Sequence, residues 1–367
     1  MTDISAQLIE QVNTALSKRT SLRIQGNNTK SQLGRSGTRN TTEEAETIDL
    51  SPHKGVVQYE PVELILTARA GTTLAEIDNV LAKHNQMLAC DPRRYNGKAT
   101  IGGSLASNQS GNARPWTGSL RDHVLGIKLI NGKGEHLQFG GQVLKNVAGY
   151  DVSRLQAGAM GTLGVITEVS FKVLPNPATS ITLVKELSAG EALQEMNQLA
   201  RSAKPLTGAS WVDGKLYLRL QGAHSAVSAT SEQWQKQCQA QTLEPVQAGA
   251  FWHDLREHKL KFHEQQKADE PLWRFSVNPN AAHFLSDEQW AFNWVGAQRW
   301  LKGSFDAKQL RYFAREAGGE VQLYEGGDRS GEISFIANDT LKQIHTNLKA
   351  AFDPQGIFNP GRLYSWL

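Results

Sequence analysis

The sequence predicts an α+β protein built from more than one domain. Three observations carry that expectation. The chain has 367 residues, more than one ordinary domain holds. The run VITEVSFKVLP alternates with a period of two, as a strand does, and stops at Pro175 and Pro177. Beyond those prolines, strand-like and helix-like segments interleave, as in a second α+β unit.

The elements follow in order. Residues 5–18 read as an amphipathic helix and 21–25 as a short strand. Residues 47–50, 56–59 and 64–68 read as strands and 73–85 as a helix. Thr72 or Thr73 can cap that helix, with Glu76 in its first turn. HVLGIKLINGKGEHLQFG reads as a hairpin, turning at Asn131-Gly132-Lys133-Gly134. In residues 165–173, Val165, Thr167, Val169, Phe171 and Val173 fall on one face, and Ile166, Glu168, Ser170 and Lys172 on the other. Strands are expected at 180–187, 209–220, 272–278 and 319–324, with a turn at Asp213-Gly214-Lys215. Helices are expected at 189–202, 230–240, 249–266, 306–317 and 339–352.

Composition excludes several classes. The chain is 39% hydrophobic and 20% charged, which fits a soluble protein with a core. With 39 basic and 36 acidic residues the net charge is +3, and nothing global points to nucleic acid. Cys90 and Cys238 are the only cysteines and lie in no metal or disulfide pattern, so a reducing, cytoplasmic setting is expected. The N-terminus lacks the apolar core of a signal peptide, and no run of about 18 apolar residues would span a membrane.

The stretch GAMGTLGVITEV places glycine at 158, 161 and 164. As a helix it would lose about 1 kcal/mol per glycine relative to alanine, and the alternating run that follows has the wrong period. A loop leading into a strand is expected, either for close packing or for approach to a ligand. Neither a Walker A pattern nor a Rossmann fingerprint is present. QGNNTK and ATIGGSLASNQSG are two more small-residue segments, read as loops. Gly26-Asn27-Asn28-Thr29 can form a nest of amides that binds an anion, or an ordinary surface turn. Gly102-Gly103 allows a second close approach of backbone, or a tight packing turn.

Taken in order, IQGNNTK, ATIGG, GSLRDHVLGIKLINGKGE, KNVAGYDVSRLQAGAMGTLGVITEVSFKVLP and FDPQGIFNPGR resemble the FAD domain of the vanillyl-alcohol oxidase/PCMH superfamily. Within it, VAGYDVSRL, RPWTGSLRDHVLG, LREHKLKF and GAQRWLKG are similar to the smaller FAD-binding subunits of bacterial glycolate oxidases (glycolate dehydrogenases). The resemblance implies a PCMH-type two-subdomain FAD-binding domain at 1–177, an α+β cap domain at 178–337, and a C-terminal segment, 338–367, returning to the FAD domain.

It also implies the site. Gly26, Asn27, Asn28 and Thr29 match the first pyrophosphate loop, with Asn27 and Asn28 where many members have glycine. Gly102, Gly103, Ser107 and Asn108 match the second loop. Gly161, Gly164, Val165 and Ile166 match the segment along the adenosine half, where the glycines make room for the dinucleotide, and Asn359 the C-terminal turn. The first loop has no His and the second no Cys, so non-covalent FAD is expected. Cys90 is expected to be a small buried hydrophobe.

Catalytic relatives carry a His-rich HxGDGN segment; here LYEGGDRSGEISF keeps only Gly327-Asp328, so a metal-assisted centre is not expected. His253, His258 and His263 recur every five residues, which does not align them on one helical face, and solvated or rim positions are expected. Arg93, Arg94 and Arg114 could face an anion or form surface ion pairs. Trp252, Trp273, Trp290, Trp294 and Trp300 fit core packing or a subunit contact. No residue is assigned a catalytic role. The expected function is an FAD-binding subunit of a glycolate-oxidising complex, with a larger flavoprotein subunit and an iron–sulfur subunit, passing electrons to a membrane acceptor. A stand-alone FAD-dependent 2-hydroxy-acid dehydrogenase and a structural subunit without flavin are the alternatives.

Overall fold

The computed structural model describes residues 2–36, 45–141, 150–264, 269–283, 287–336 and 338–367. Residues 145–149 of the quoted VAGY segment and 265–266 of the expected 249–266 helix lie outside these. The chain divides into two compact units. One comprises Met1–Ser110, Gly118–Pro175 and Asp328–Leu367; the other comprises Gly111–Thr117 and Asn176–Gly327. The C-terminal segment therefore joins the first unit from Asp328 rather than 338, and a short internal piece goes to the second.

In chain order the first unit supplies α1 (Ser5–Lys18), β1 (Leu22–Gln25), β2 (Glu46–Asp49), β3 (Val56–Glu60), β4 (Ile65–Arg69), α2 (Leu74–Ala82), β5 (Gln86–Met87) and α3 (Ile101–Ser107). The short α4 (Arg114–Thr117) belongs to the second unit. The chain then returns to the first with α5 (Leu120–His123), β6 (Val124–Ile130), β7 (His136–Gly140), α6 (Val152–Leu155), β8 (Val165–Lys172) and β9 (Leu174–Pro175). The second unit continues with β10 (Thr179–Glu186), α7 (Ala189–Ala200), β11 (Leu206–Val212), β12 (Lys215–Gly222), α8 (His224–Cys238), β13 (Gln241–Leu243), α9 (Pro245–Glu257) and α10 (Lys261–Glu264). It ends with β14 (Leu272–Ser276), β15 (Trp290–Asn293), β16 (Gln298–Lys302), α11 (Ala307–Glu316) and β17 (Glu320–Glu325). Helix α12 (Asp339–Phe352) closes the first unit.

In the first unit, Leu8, Val12 and Ala15 place one buried stripe along α1. Thr73 and Glu76 form a capping box at α2. The main sheet has the order β3-β4-β8-β6-β7, antiparallel throughout, and β1 pairs in parallel with β2. Strand β8 is central in that sheet. Its alternation does not separate core from solvent, because Ile166, Glu168 and Ser170 are buried as well as Val165, Thr167, Val169 and Phe171. Both of its faces are covered, as for a strand in the middle of a layered unit.

Residues 101–107, expected as a loop, form helix α3. Thr100 caps it, its Oγ1 accepting from the Gly103 amide at 3.2 Å. Residues 156–164 are a turn region leading into β8, with Gly158, Gly161 and Gly164 at φ 87°, 72° and 151°.

The second unit is one antiparallel sheet in the order β13-β10-β12-β11-β15-β16-β14-β17. Trp252, Trp273, Trp290, Trp294 and Trp300 are all buried, so they pack inside rather than forming a Trp-rich surface. Helix α9 ends at His258, which adopts a left-handed conformation (φ 59°), so the expected helix through 266 is broken there. His258 and His263 consequently stack at 4.5 Å beside Trp300 and Tyr324, and only His253 stands exposed. The expectation of solvated or rim positions holds for exposed His253 and half-buried His258 and fails for buried His263. Strands β15 and β16 escaped the sequence reading. Their connection passes through Trp294 and Val295 at φ 53° and 61°, a conformation that β-branched residues rarely adopt.

Candidate functional site

A cleft of ≈ 340 Å³ opens in the first unit where β1, the first loop, the start of α3 and the C-terminal tail converge. Gly26, Asn27, Asn28 and Thr29 line one wall. None of their four amides donates to an acceptor among the described residues. Asn28 lies at φ 54°, the left-handed turn that lets neighbouring amides converge. The Asn27 side chain donates to the Lys98 carbonyl at 2.9 Å, which fixes the loop from behind.

The second segment behaves differently. The Gly102 amide donates to the Ala70 carbonyl at 2.9 Å and the Gly103 amide to Thr100 Oγ1, so both are consumed inside the protein. Gly102 is needed because a Cβ there would lie 2.6 Å from that of Ala70. Gly103 and Ser107 still line the cleft, and the Ser107 hydroxyl donates to the Gly103 carbonyl at 2.8 Å. Asn108 caps the far end of α3 at φ 47° and lies outside the lining.

A narrower recess of ≈ 80 Å³ shares Gly26, Thr100, Gly103, Ala106, Met160 and Asn359 with the cleft and continues past Gly102, Gly161, Gly164 and Ile166. Val165 points away from it and is fully buried. The room at Gly161 and Gly164 is taken up by protein. A Cβ on Gly161 would meet Asn359 Nδ2 at 2.6 Å, and one on Gly164 the Ile130 carbonyl at 2.8 Å. Their positive φ values would exclude other residues independently. These glycines let the turn close on its neighbours, and the backbone so placed forms the recess wall.

Asn359 joins the pieces. Its Oδ1 accepts from the Ile24 amide at 2.9 Å and its Nδ2 donates to the Met160 carbonyl at 2.7 Å. One side chain thus holds β1, the glycine turn and the tail together at the cleft floor.

The sequence reading missed the charge of this site. Arg23, Lys30, Arg35 and Arg362 line the cleft, and no carboxylate is among its described lining residues. Arg362 donates to the carbonyls of Lys30 and Ser31 at 3.0 and 2.8 Å, and Arg35 to those of Gly331, Gly361 and Ser330. Burial pushes the Arg362 pKa down to about 10, and the positive charges of Arg23 and Arg329 add to it. Four cations with no carboxylate among the described lining residues suit an anionic ligand. Lys30 directly follows the quoted loop and Arg362 the NPG turn, so summing charge over the loop segments would have found both.

Other candidates have structural partners. Arg94 makes a two-point ion pair with Asp78 at 2.7 and 3.0 Å, and the Arg93 guanidinium lies 4.4 Å from the Tyr95 ring. Cys90 is fully buried, which raises its thiol pKa to about 12. Asp328 accepts from the Ser330 amide at 2.9 Å in a local turn. No group of three or more His, Cys, Asp or Glu that could hold a metal ion occurs among the described residues.

Comparison with known proteins identifies the family. A family model described as an FAD binding domain matches residues 4–140. The glycolate oxidase subunit GlcE of Escherichia coli is 42% identical over 365 residues, covering 100% of this chain and 99% of that one. The chain belongs to the GlcE family of glycolate oxidase subunits. The glycolate oxidase subunit GlcD of Bacillus subtilis is 36% identical over 120 residues, 32% of this chain and 26% of that protein. Among solved structures, 4-ethylphenol oxidase from Gulosibacter chungangensis superposes with a TM-score of 0.72 at 13% identity, covering 99% of this chain and 88% of that one. Alkyldihydroxyacetonephosphate synthase gives 0.66 at 15% identity, covering 96% and 75%. With the FAD binding domain match, these likenesses establish the fold: a PCMH-type FAD-binding domain with an α+β second domain. FAD is the cofactor of this family member.

The cleft fits that cofactor. FAD joins a flavin to an adenosine through an anionic pyrophosphate. The cleft offers uncommitted loop amides, four lining cations and an apolar recess, the mix of few polar anchors and apolar wall that cofactor sites show.

Proposed function

We propose that this chain is the FAD-binding subunit of a complex that oxidises glycolate to glyoxylate. A larger flavoprotein subunit of the GlcD type and an iron–sulfur subunit would be its partners, and a membrane acceptor would take the electrons. The observation that carries this reading is the full-length likeness to GlcE, joined to a cationic cleft built from the loops that the sequence singled out. The chain has only two cysteines, so a cluster would reside in a partner. No helix among the described residues is long and apolar enough to cross a membrane; attachment at the inner membrane would go through partners.

Within the cleft, the amides of Gly26, Asn27, Asn28 and Thr29, with Lys30 and Arg23, would hold the pyrophosphate. Arg35, Arg362 and Asn359 would keep that loop and the floor in place. When bound, FAD supplies two-electron acceptance from a CH–OH carbon. No His or Cys stands among the described lining residues, which supports non-covalent attachment.

The test is purification of the chain alone and with its partners. The isolated chain should be yellow, and trichloroacetic acid should release all of its flavin. Glycolate turnover with an artificial acceptor should require the larger subunit. Full turnover by the isolated chain would favour a stand-alone 2-hydroxy-acid dehydrogenase, and a colourless chain would mean a structural subunit.

A further inference from the structure

The second unit contains a cationic cluster with no role in the cleft. Arg114 on α4 and Arg274 on β14 both approach the Trp294 ring, with their guanidinium carbons 4.6 and 5.5 Å from its centroid. Arg274 is partly buried and its side chain makes no hydrogen bond or ion pair among the described residues; its Nε is fully enclosed and unpaired. On β16 it faces Trp300 and on β17 it faces Gln322, so Glu320 and Tyr324 share its side of the sheet. Burial pushes the Arg274 pKa down, and the like charge of Arg114 pushes the same way against Tyr324 and Glu320. Glu320 influences it through space without forming an ion pair. Positive charge brought out of water without a partner is costly, so this arrangement is unbalanced as it stands.

The anchor of the cluster is held under strain. Trp294, Val295 and Gly296 are consecutive residues with φ 53°, 61° and 87°. The turn is pinned by the Asn293 side chain accepting from the Trp294 amide at 2.8 Å, and by Trp294 Nε1 donating to the Gly111 carbonyl at 2.8 Å. Asn293 Nδ2 donates to Asn112 Oδ1 at 2.8 Å, which ties the same turn to the segment that carries Arg114. Left-handed backbone at a buried tryptophan and a valine persists only when the surroundings over-determine it, and such places concentrate at ligand sites.

We infer that Arg114, Arg274 and Trp294 form a binding site for the carboxylate of a small 2-hydroxy acid on this chain itself. Two guanidinium groups on one ring match a planar carboxylate, and the indole wall shields their hydrogen bonds from water. The choice of a 2-hydroxy acid rests on the proposed function; the carboxylate chemistry rests on the cluster. An acidic side chain of a partner subunit is the competing source of the same group.

The test uses the flavin-loaded full-length chain, titrated with glycolate and followed by tryptophan fluorescence and calorimetry. Glycolate should bind saturably and its neutral amide, glycolamide, should not. Arg114→Gln and Arg274→Met should each weaken glycolate binding about tenfold or more, the scale of one charge-assisted hydrogen bond, and Arg274→Lys should restore part of it. Flavin per chain should stay at the wild-type level in all three. Arg114 is exposed, so Arg114→Gln remains decisive should Arg274→Met fail to fold. Equal glycolate affinity in wild type and Arg114→Gln overturns the site. So does an absence of glycolate binding to wild type, or a loss confined to affinity for the larger subunit, which assigns the cluster to a partner's carboxylate. A colourless wild-type protein that still binds glycolate through these arginines would sink the flavin reading and leave this one standing.

Discussion

Asn359 shows how one side chain can set the geometry of the proposed cofactor cleft. Its amide is spent on the Ile24 amide and the Met160 carbonyl. Asn359→Leu keeps the approximate volume and leaves both partners unpaired, which should cost about 1–3 kcal/mol for each group left buried. Urea unfolding would measure that loss, and flavin content should fall with it. Asn359→Asp is the sharper variant. It keeps the acceptor for Ile24, turns a second oxygen toward the Met160 carbonyl, and places negative charge in a cleft lined by Arg23, Lys30, Arg35 and Arg362. Flavin retention should therefore drop by more than the unfolding free energy does. Equal losses in the two variants would mean that the cleft does not hold an anion.

At the level of elements, α1 is docked through a histidine. The Ile4 amide donates to His53 Nδ1 at 3.2 Å, and Asp3 pairs with Arg69 at 2.9 Å. Burial lowers the His53 pKa below its ordinary 6.5, with Asp3 and Glu168 opposing and Arg69 assisting. An Nδ1 that accepts the Ile4 amide cannot also carry a proton. The sign follows: below pH 6.5 the unfolded chain gains a proton that the folded one resists, so stability falls as pH drops through that value. The slope can reach about 1.4 kcal/mol per pH unit. Thermal unfolding at pH 7.5 and 5.5 should show the loss, and His53→Asn, which can still accept the Ile4 amide, should flatten it. Elements of this kind were legible from the period alone in α1, from period and cap together in α2 with Thr73 and Glu76, and in the hairpin of β6 and β7, whose turn Asn131 closes by accepting from the Lys133 and Glu135 amides. Helix α3 was hidden because its first turn is Ile101-Gly102-Gly103, where close packing on Ala70 outweighs the low helical propensity of glycine. Strands β15 and β16 were hidden because their turn uses Trp294 and Val295 in a conformation that no local preference marks.

Across the whole first unit, the tail returns to β1 and the glycine turn. Leu22 donates to the Ile357 carbonyl at 2.7 Å, and the Asn359 amide donates back to Leu22 at 2.9 Å. The NPG turn made this return readable in the sequence, while its lock was not, because Lys349 lies on a helix whose other residues are largely exposed. Lys349 is buried, and its Nζ donates to the Thr162 carbonyl at 2.7 Å, the Phe358 carbonyl at 2.9 Å and Asp353 Oδ2 at 2.7 Å. Asp353 in turn accepts from the Ile357 and Phe358 amides. Both neighbours of the cleft floor, Thr162 beside Gly161 and Phe358 beside Asn359, thus hang on one ammonium. Lys349→Met should cost about 3–5 kcal/mol, because it leaves the Asp353 carboxylate buried and uncompensated. The double variant Lys349→Met, Asp353→Asn removes that charge and keeps an acceptor oxygen for one of the two amides, so it should recover part of the loss. Yet the double variant still lacks the cation that spans Thr162 and Phe358, so its flavin should dissociate faster than that of wild type at matched stability. Unfolding curves and flavin release rates on the same preparations separate the two effects. Wild-type flavin release in the double variant would show that the lock stabilises the fold without shaping the cleft.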